Sequence, residues 1–471
     1  VKPLALLPLI PLLALIPACE VGPNYRRPQV AAVDSFRGRS QAEASSFADQ
    51  PWWQVFDDLA LKALIDEALA HNFDARLATQ RVLEYQARAG IEAASRWPTL
   101  TASGGWTRGL SSPYTAGGGG EGQSTNVSLG VAWDLDLWGR LRRLNEAARA
   151  QYLGTQEARR GVFLATAAQV AQAYFQLRDL DARLAIAQST TQAFQETRDL
   201  FSQRLAGGTA SALETSRADA ALAGVAATIP DLERQIQAQE NLICLLVGRT
   251  PGPIARGGNL ADQPLPPQIP AGLPSSLLER RPDLRAAEQQ MVAANAAVGV
   301  AQANYFPTLS LSALAGGVAP GISQLFGRGK EWNVNPELTL PLQGRKLKYQ
   351  KAAAIAQWEE AKVQYEAAVT GAFGEVSTLL VAYQKLAEVE VQQARSVAAY
   401  QEAVHLASLR YSAGLSSYME VLEAQQQLFP AQNTWSQVRT SRLVALVQLY
   451  KALGGGWNLK DPGQDGWQEP R

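Results

Sequence analysis

The chain has 471 residues, with 43 Lys+Arg against 43 Asp+Glu, so its formal net charge is zero. No polybasic run marks a nucleic-acid surface, and the only two histidines, His71 and His405, lie in distant segments without metal-ligand spacing. Two cysteines in such a length exclude a disulfide framework. The sequence contains no GxSxG, no P-loop, no HExxH and no GxGxxG in a strand-to-helix setting, so it reads as a non-enzyme with no catalytic residue, metal or soluble cofactor.

The first element is a run of leucines and prolines that stops at Cys19. It is shorter than the ~20 apolar residues of a membrane-spanning helix and is interrupted by Pro3, Pro8, Pro11 and Pro17. Lys2, an apolar core and a small residue before the cut predict a secretory signal over 1–18. Ile16-Pro17-Ala18-Cys19 resembles a bacterial lipobox, which makes Cys19 the expected lipid attachment site, carrying diacylglycerol and palmitate. Residues 19–56 then read as a lipid-anchored extended segment. Cys244, in "ENLICLLVG", has no partner left and is expected to be a small buried apolar residue.

The remainder is a tandem duplication. Asp74 and Asp283, Arg76 and Arg285, Gly90 and Gly299, and Pro98 and Pro307 are each 209 positions apart. Further on the spacing is 205 for Gly139 and Gly344, and 206 for Gly208 and Gly414, Glu214 and Glu420, and Gly248 and Gly454. The repeats are 57–250 and 276–455, joined by a Pro/Gly-rich linker at 251–275 and followed by a tail at 456–471. Each opens with a helix, 57–95 and 276–303, with Pro282 suited to a first helical turn. Two alternating strands follow in each, 97–108 and 124–137, then 305–318 and 331–343. Leu129, Val131, Trp133, Leu135 and Leu137 share one face, as do Val334, Leu338, Leu340 and Leu342.

Next comes a very long helix, Leu141 to Arg204 and again about Lys346 to Arg410. Its seam is spaced like a coiled coil at Phe163, Ala167, Val170, Tyr174 and Leu177, and at Val376, Leu379, Tyr383 and Leu386. At ~1.5 Å per residue each helix is on the order of 95 Å long. A glycine turn at Gly207-Gly208 or Ala413-Gly414 leads into a return helix of about 40 residues. Gly224 and Pro430, 206 apart, mark equivalent points where the two return helices are weakened.

Strands of ~10 residues that alternate apolar and polar in a secreted chain have the pattern of a transmembrane β-barrel. Such strands cannot leave an edge unpaired in lipid, and four are too few for a barrel, whose smallest size is ~8. The expected fold is mainly α with membrane β, the barrel being shared between copies. Two copies would supply eight strands and three would supply twelve.

The segments "CEVGPNYRRP", "PWWQVFDD", "LLERRPDLRAAE", "VGVAQANYFPTLSLSA" and "LVALVQLYKALGGGW" together resemble the outer membrane factors of TolC/OprM type, in their NodT-type efflux lipoprotein branch. The resemblance implies a homotrimer, a twelve-stranded barrel among outer membrane lipids and a twelve-helix α-barrel in the periplasm. It implies a passive exit duct for drugs or other small molecules in multidrug resistance. The expected partners are a periplasmic membrane-fusion adaptor and an inner-membrane efflux pump of RND type. At "PLQGRKLKY" the chain departs from the family pattern, which is nearer Phe-Asp-Gly-Gly-Arg.

By position, the resemblance places the periplasmic gate at Glu420 and Glu423, with Met419 beside them. A spacing of three puts the two carboxylates on one helix face, and the other reading is a pair of solvated surface charges. Arg217 is 206 positions before Glu423 and is a candidate partner for it. The adaptor-contact tips are Gly208, Thr209, Gly414, Leu415 and Ser416, which also serve as turn residues. The alternative functions are a trimeric structural coiled-coil lipoprotein and an exit duct for type I protein secretion.

Overall fold

The computed structural model describes residues 20–29, 36, 46, 56, 58–111, 114, 119–266, 269–270, 272, 274–325 and 327–455. The expected signal at 1–18, Cys19, the tail at 456–471 and most of the segment 19–56 lie outside the described residues. The first half runs α1 Leu59–His71, α2 Phe73–Ala94, β1 Thr99–Ser111, β2 Gly120–Leu135, α3 Arg140–Ala206, α4 Ala212–Ala226 and α5 Thr228–Val247. The second runs α6 Leu277–Arg280, α7 Pro282–Ala303, β3 Thr308–Ala319, β4 Lys330–Thr339, α8 Gly344–Ser412 and α9 Tyr418–Ala452. α3 and α8 are 67 and 69 residues long.

Three expected helices are broken, each for a local reason. The helix expected over 57–95 divides at Asn72, whose backbone leaves the helix at ψ 135°. Asn72 Oδ1 accepts from Ala75 N at 3.0 Å, and its Nδ2 donates to the Leu246 carbonyl at 2.8 Å. The helix expected over 276–303 divides at Arg281, extended at φ −75°, ψ 119°, the conformation favoured before a proline. The first return helix divides at Ala227 rather than at Gly224. Pro230, three residues on, has no N–H for the Ala226 carbonyl. By contrast, α9 runs unbroken through Pro430.

The chain forms two compact units. The first comprises the described residues up to Gln29, together with 81–156 and 286–366. It holds one antiparallel sheet ordered β1-β2-β3-β4. The register carries the alternation across all four strands: Leu100 pairs with Val131, Val131 with Ala313, and Ala313 with Val334. The next row on the same face is Ala102, Leu129, Ala315 and Trp332. The opposite face carries Ser103, Ser128, Gly316 and Glu331. The apolar face is uncovered, with Leu100 69%, Trp106 65% and Leu338 69% exposed. Within this chain β1 and β4 are edges. β4 stops at Thr339, so Leu340 and Leu342 lie beyond the ladder, where Pro341 follows. Among the described residues no helix is long and apolar enough to cross a membrane.

The junctions from strand to long helix differ between the halves. Asp136 accepts from Leu141 N at 3.0 Å and from Arg142 N at 2.9 Å, capping α3. Pro341 stands 205 positions later, where no carboxylate is available, and α8 opens at Gly344 without it. This is the departure at "PLQGRKLKY" in physical form.

The N-terminal residues are strapped onto the first unit. Val21 N donates to the Trp138 carbonyl at 3.1 Å. Arg143, 2% exposed, pairs with Glu20 at 3.3 Å and Glu146 at 2.7 Å, and donates to Asn24 Oδ1 at 2.7 Å. Gly22 has φ +110°, and a Cβ on it would stand 2.5 Å from Gly299 Cα, so two backbones cross here glycine on glycine. Asn295 holds the Pro23 carbonyl at 2.9 Å, while Tyr25 and Arg27 both reach Glu288, at 3.1 and 2.6 Å.

The second unit comprises 30–80, 157–285 and 367–471 as far as described. The α3 seam buries Val170, Tyr174 and Leu177. On α8 the buried series is Val369, Phe373, Val376, Leu380 and Tyr383. Leu380 therefore takes the place expected for Leu379, which is only half-buried, as is Leu386. Cys244 is fully buried, its Sγ donating to the Gly252 carbonyl at 3.3 Å.

Ionic and phenolic staples tie the linker to the long helices. Tyr174 accepts from Gly257 N and donates to Asp58, each at 2.8 Å. Arg256 meets Asp181 at 3.2 Å. Arg439 donates to the carbonyls of Leu260 (2.9 Å) and Gln263 (2.9 Å), and it pairs with buried Glu390 at 2.6 Å. Glu390 also pairs with Arg442 at 2.9 Å.

Candidate functional site

The far ends of the long helices lie in the second unit and form two turns built alike. Gly208 and Gly414 take left-handed φ of +71° and +70°, and a glycine there ends a helix without a Cβ penalty. Gly208 N donates to the Leu205 carbonyl and Gly414 N to the Tyr411 carbonyl, both at 3.0 Å. Thr209 N reaches the Arg204 carbonyl at 2.8 Å, and Leu415 N the Arg410 carbonyl at 2.9 Å. Leu415 is exposed, Ser416 half-buried, and the Ser416 Oγ is enclosed with no hydrogen-bond partner among the described residues.

Phe194, Val225 and Leu422 pack the two hairpins together near these turns, with Leu222, Tyr418, Met419 and Phe429 around them. Tyr418 stands edge-on to Phe201 and to Tyr411, with ring centres 4.9 and 5.0 Å apart, and shares a hydrogen bond with Thr197 Oγ1. Burial pushes the Tyr418 phenol above its ordinary pKa.

Glu420 and Glu423 are both exposed and both line one open groove of about 660 Å³, with Tyr400, Leu406, Arg410 and Gln427. The spacing of three therefore brings them together as read from sequence. Met419 is not in that lining: it packs on the apolar cluster, and its Sδ lies 3.4 Å from Arg217 Nη1. Arg217 thus meets Met419, and the ion pair seen at the second turn is Arg410–Glu420, at 3.3 Å. Sequence reading missed Arg410 and its counterpart Arg204, although their spacing of 206 marks them as a duplicated pair. Among the described residues no group of three His, Cys, Asp or Glu is placed to hold a metal ion. The groove can offer charge, hydrogen bonds and steric closure.

The model of one protein family, outer membrane efflux protein, matches residues 64–249 and 273–455. The chain is 34% identical to the probable efflux pump outer membrane protein TtgC of Pseudomonas putida, over 94% of each chain. It is 32% identical to the cation efflux system protein CusC of Escherichia coli, over 97% of this chain and 99% of that protein. Its fold is similar to that of the outer-membrane channel OprN, with TM-score 0.86 and 30% identity, over 93% of this chain and all of that one.

Proposed function

The chain belongs to the outer membrane efflux protein family, and on that premise we propose that it is the passive exit duct of a tripartite efflux system, gated at its periplasmic tip. The sheet carries the reading. Its apolar face is uncovered across four strands, and β1 and β4 leave their ladders open. In lipid those edges need partners. Three copies would supply a twelve-stranded barrel and, from the two long helices and two return segments of each chain, a twelve-helix barrel in place of a lone sheet. In that assembly the chain is a duct and not an enzyme. It works with a periplasmic adaptor at the turns around Gly208, Thr209, Gly414, Leu415 and Ser416, and with an inner-membrane pump of RND type that supplies the energy.

Cys19 is the proposed site of diacylglycerol and palmitate. Support comes from its neighbours, because Glu20 and Val21 are held at Arg143 and Trp138, beside the strand-to-helix junction. Native mass spectrometry in detergent is expected to find three chains per particle. A stable monomer retaining its full strand content contradicts the shared barrel. Cys19→Ala is expected to abolish incorporation of labelled fatty acid while insertion of the barrel persists.

Three copies would bring six carboxylates, from Glu420 and Glu423, to a narrow mouth. Like charges so confined favour cations. The double variant Glu420→Gln, Glu423→Gln keeps side-chain volume and removes the charge. In planar bilayers it is expected to stay narrow, to lose cation preference and to bind multivalent cationic blockers several-fold more weakly. Retention of wild-type selectivity and block places these glutamates outside the duct. The structural-lipoprotein alternative predicts no conductance at all.

A further inference from the structure

The two turns share backbone geometry and sequence pattern but differ in how their side chains are paired. Ser211-Ala-Leu-Glu214 and Ser417-Tyr-Met-Glu420 are both S-x-x-E, 206 positions apart, and each serine starts a helix. Their backbones agree, φ −88°, ψ 153° at Ser211 and φ −76°, ψ 156° at Ser417. In the first turn the capping box is closed: Ser211 N donates to Glu214 Oε2 at 2.8 Å, and Glu214 N donates to Ser211 Oγ at 3.3 Å. The Ser211 backbone N–H holds the Glu214 carboxyl below its ordinary pKa. In the second turn Ser417 makes no side-chain cap, and Glu420 has turned to Arg410.

The cause lies one residue past each arginine. Tyr411 occupies the position that Leu205 holds in the first repeat. It belongs to the second hairpin but takes the arginine of the first: the Arg204 guanidinium lies 5.2 Å from the Tyr411 ring centre and donates to its hydroxyl. Arg204 is thereby engaged at Tyr411 and acts on Glu214 through its charge alone, while Glu214 closes its own cap. Position 205 offers Arg410 no such aromatic, and it pairs with Glu420.

We propose that Glu420 is a two-position switch, exchanging between Arg410 and a latent capping box at Ser417 whose backbone is already in place. An exposed ion pair and a capping hydrogen bond are interactions of comparable, modest strength, so either position is populated under small changes. Salt screens the ion pair and not the short-range cap, so rising ionic strength drives Glu420 to Ser417. Arg410 is then released from the groove that Glu423 also lines. As a control of opening, this rests on the gate reading above; as a side-chain exchange, it does not.

Two readouts on the detergent-solubilised full-length protein separate these. The first is hydrogen exchange at the Ser417 amide, resolved by fragmentation mass spectrometry, with the closed Ser211 amide as internal reference. Arg410→Gln removes the ion pair at an exposed site, and Ser417 exchange is expected to slow about fivefold, the factor of an ordinary cap. Wild type is expected to approach that value as salt rises. Glu420→Gln, which can still cap but carries no charge, is expected to match Arg410→Gln. Identical exchange at Ser417 in wild type and both variants, at every salt concentration, overturns the switch. The second readout is single-channel conductance, expected to rise in Arg410→Gln. Slowed exchange with unchanged conductance leaves the switch standing and removes its role at the gate.

Discussion

Replacing Glu390 with Ala is expected to destabilise the chain by about 3–5 kcal/mol, the range for removing one partner of a buried charge cluster. Glu390 is 7% exposed and accepts from two guanidiniums, Arg439 at 2.6 Å and Arg442 at 2.9 Å. Without the carboxylate, two positive charges remain side by side with little access to water. Arg442 also lies 4.8 Å from the Tyr383 ring centre, so it is already packed and cannot swing out freely. Arg439 is the tie to the linker carbonyls at Leu260 and Gln263. The expected result is a lowered unfolding temperature in detergent and new chymotrypsin cleavage after Leu260, whose carbonyl Arg439 holds. Glu390→Gln, which keeps an acceptor but not the charge, should fall between Ala and wild type. Combining Glu390→Met with Arg442→Met should recover part of the loss, because an apolar pair leaves fewer buried charges. An unchanged unfolding temperature for Glu390→Ala means that both arginines are solvated and the staple carries no stability.

Gly22→Ala is expected to release the N-terminal strap. At φ +110° an L side chain is strained by ~1–3 kcal/mol, and the new methyl would stand 2.5 Å from a backbone atom, Gly299 Cα, which cannot turn aside. The strap then lifts from Trp138 and Arg143. Arg26 becomes a trypsin site, and cleavage at the Arg26–Arg27 bond is expected to be roughly tenfold faster or more, since proteolysis follows the open population. Gly299→Ala is the comparison: its Cβ would meet the Arg143 side chain at 2.9 Å, which can shift, so the effect should be smaller. Digestion of Gly22→Ala at the wild-type rate would falsify the glycine crossing as the point that holds the strap.

Much of this protein was legible in its sequence. The duplication, the two long helices and four alternating strands follow from periodicity, which expresses a residue's own backbone and its near neighbours. The exposed tryptophans within the strands, Trp106, Trp133 and Trp332, fall on the face that alternation assigns to them. Glu420 and Glu423 share a groove because a helix brings residues three apart together. Even the break at Ala227 had its signal in Pro230.

Other features were decided only in three dimensions. Nothing in the pattern S-x-x-E says that Glu214 caps its helix while Glu420 pairs with Arg410; that depends on a tyrosine of one hairpin taking the arginine of the other. The seam on α8 passes through Leu380 and not Leu379 because neighbouring elements determine which face of a long helix is covered. Arg143 and Glu390 have no local signature, since Arg143 gathers Glu20 and Asn24 from more than a hundred residues away, and Glu390 its two arginines from about fifty. Hydrogen-bond periodicity is a property of adjacent residues and can be read in order along the chain. The choice of partner for a buried charge is made by packing, after distant segments have met.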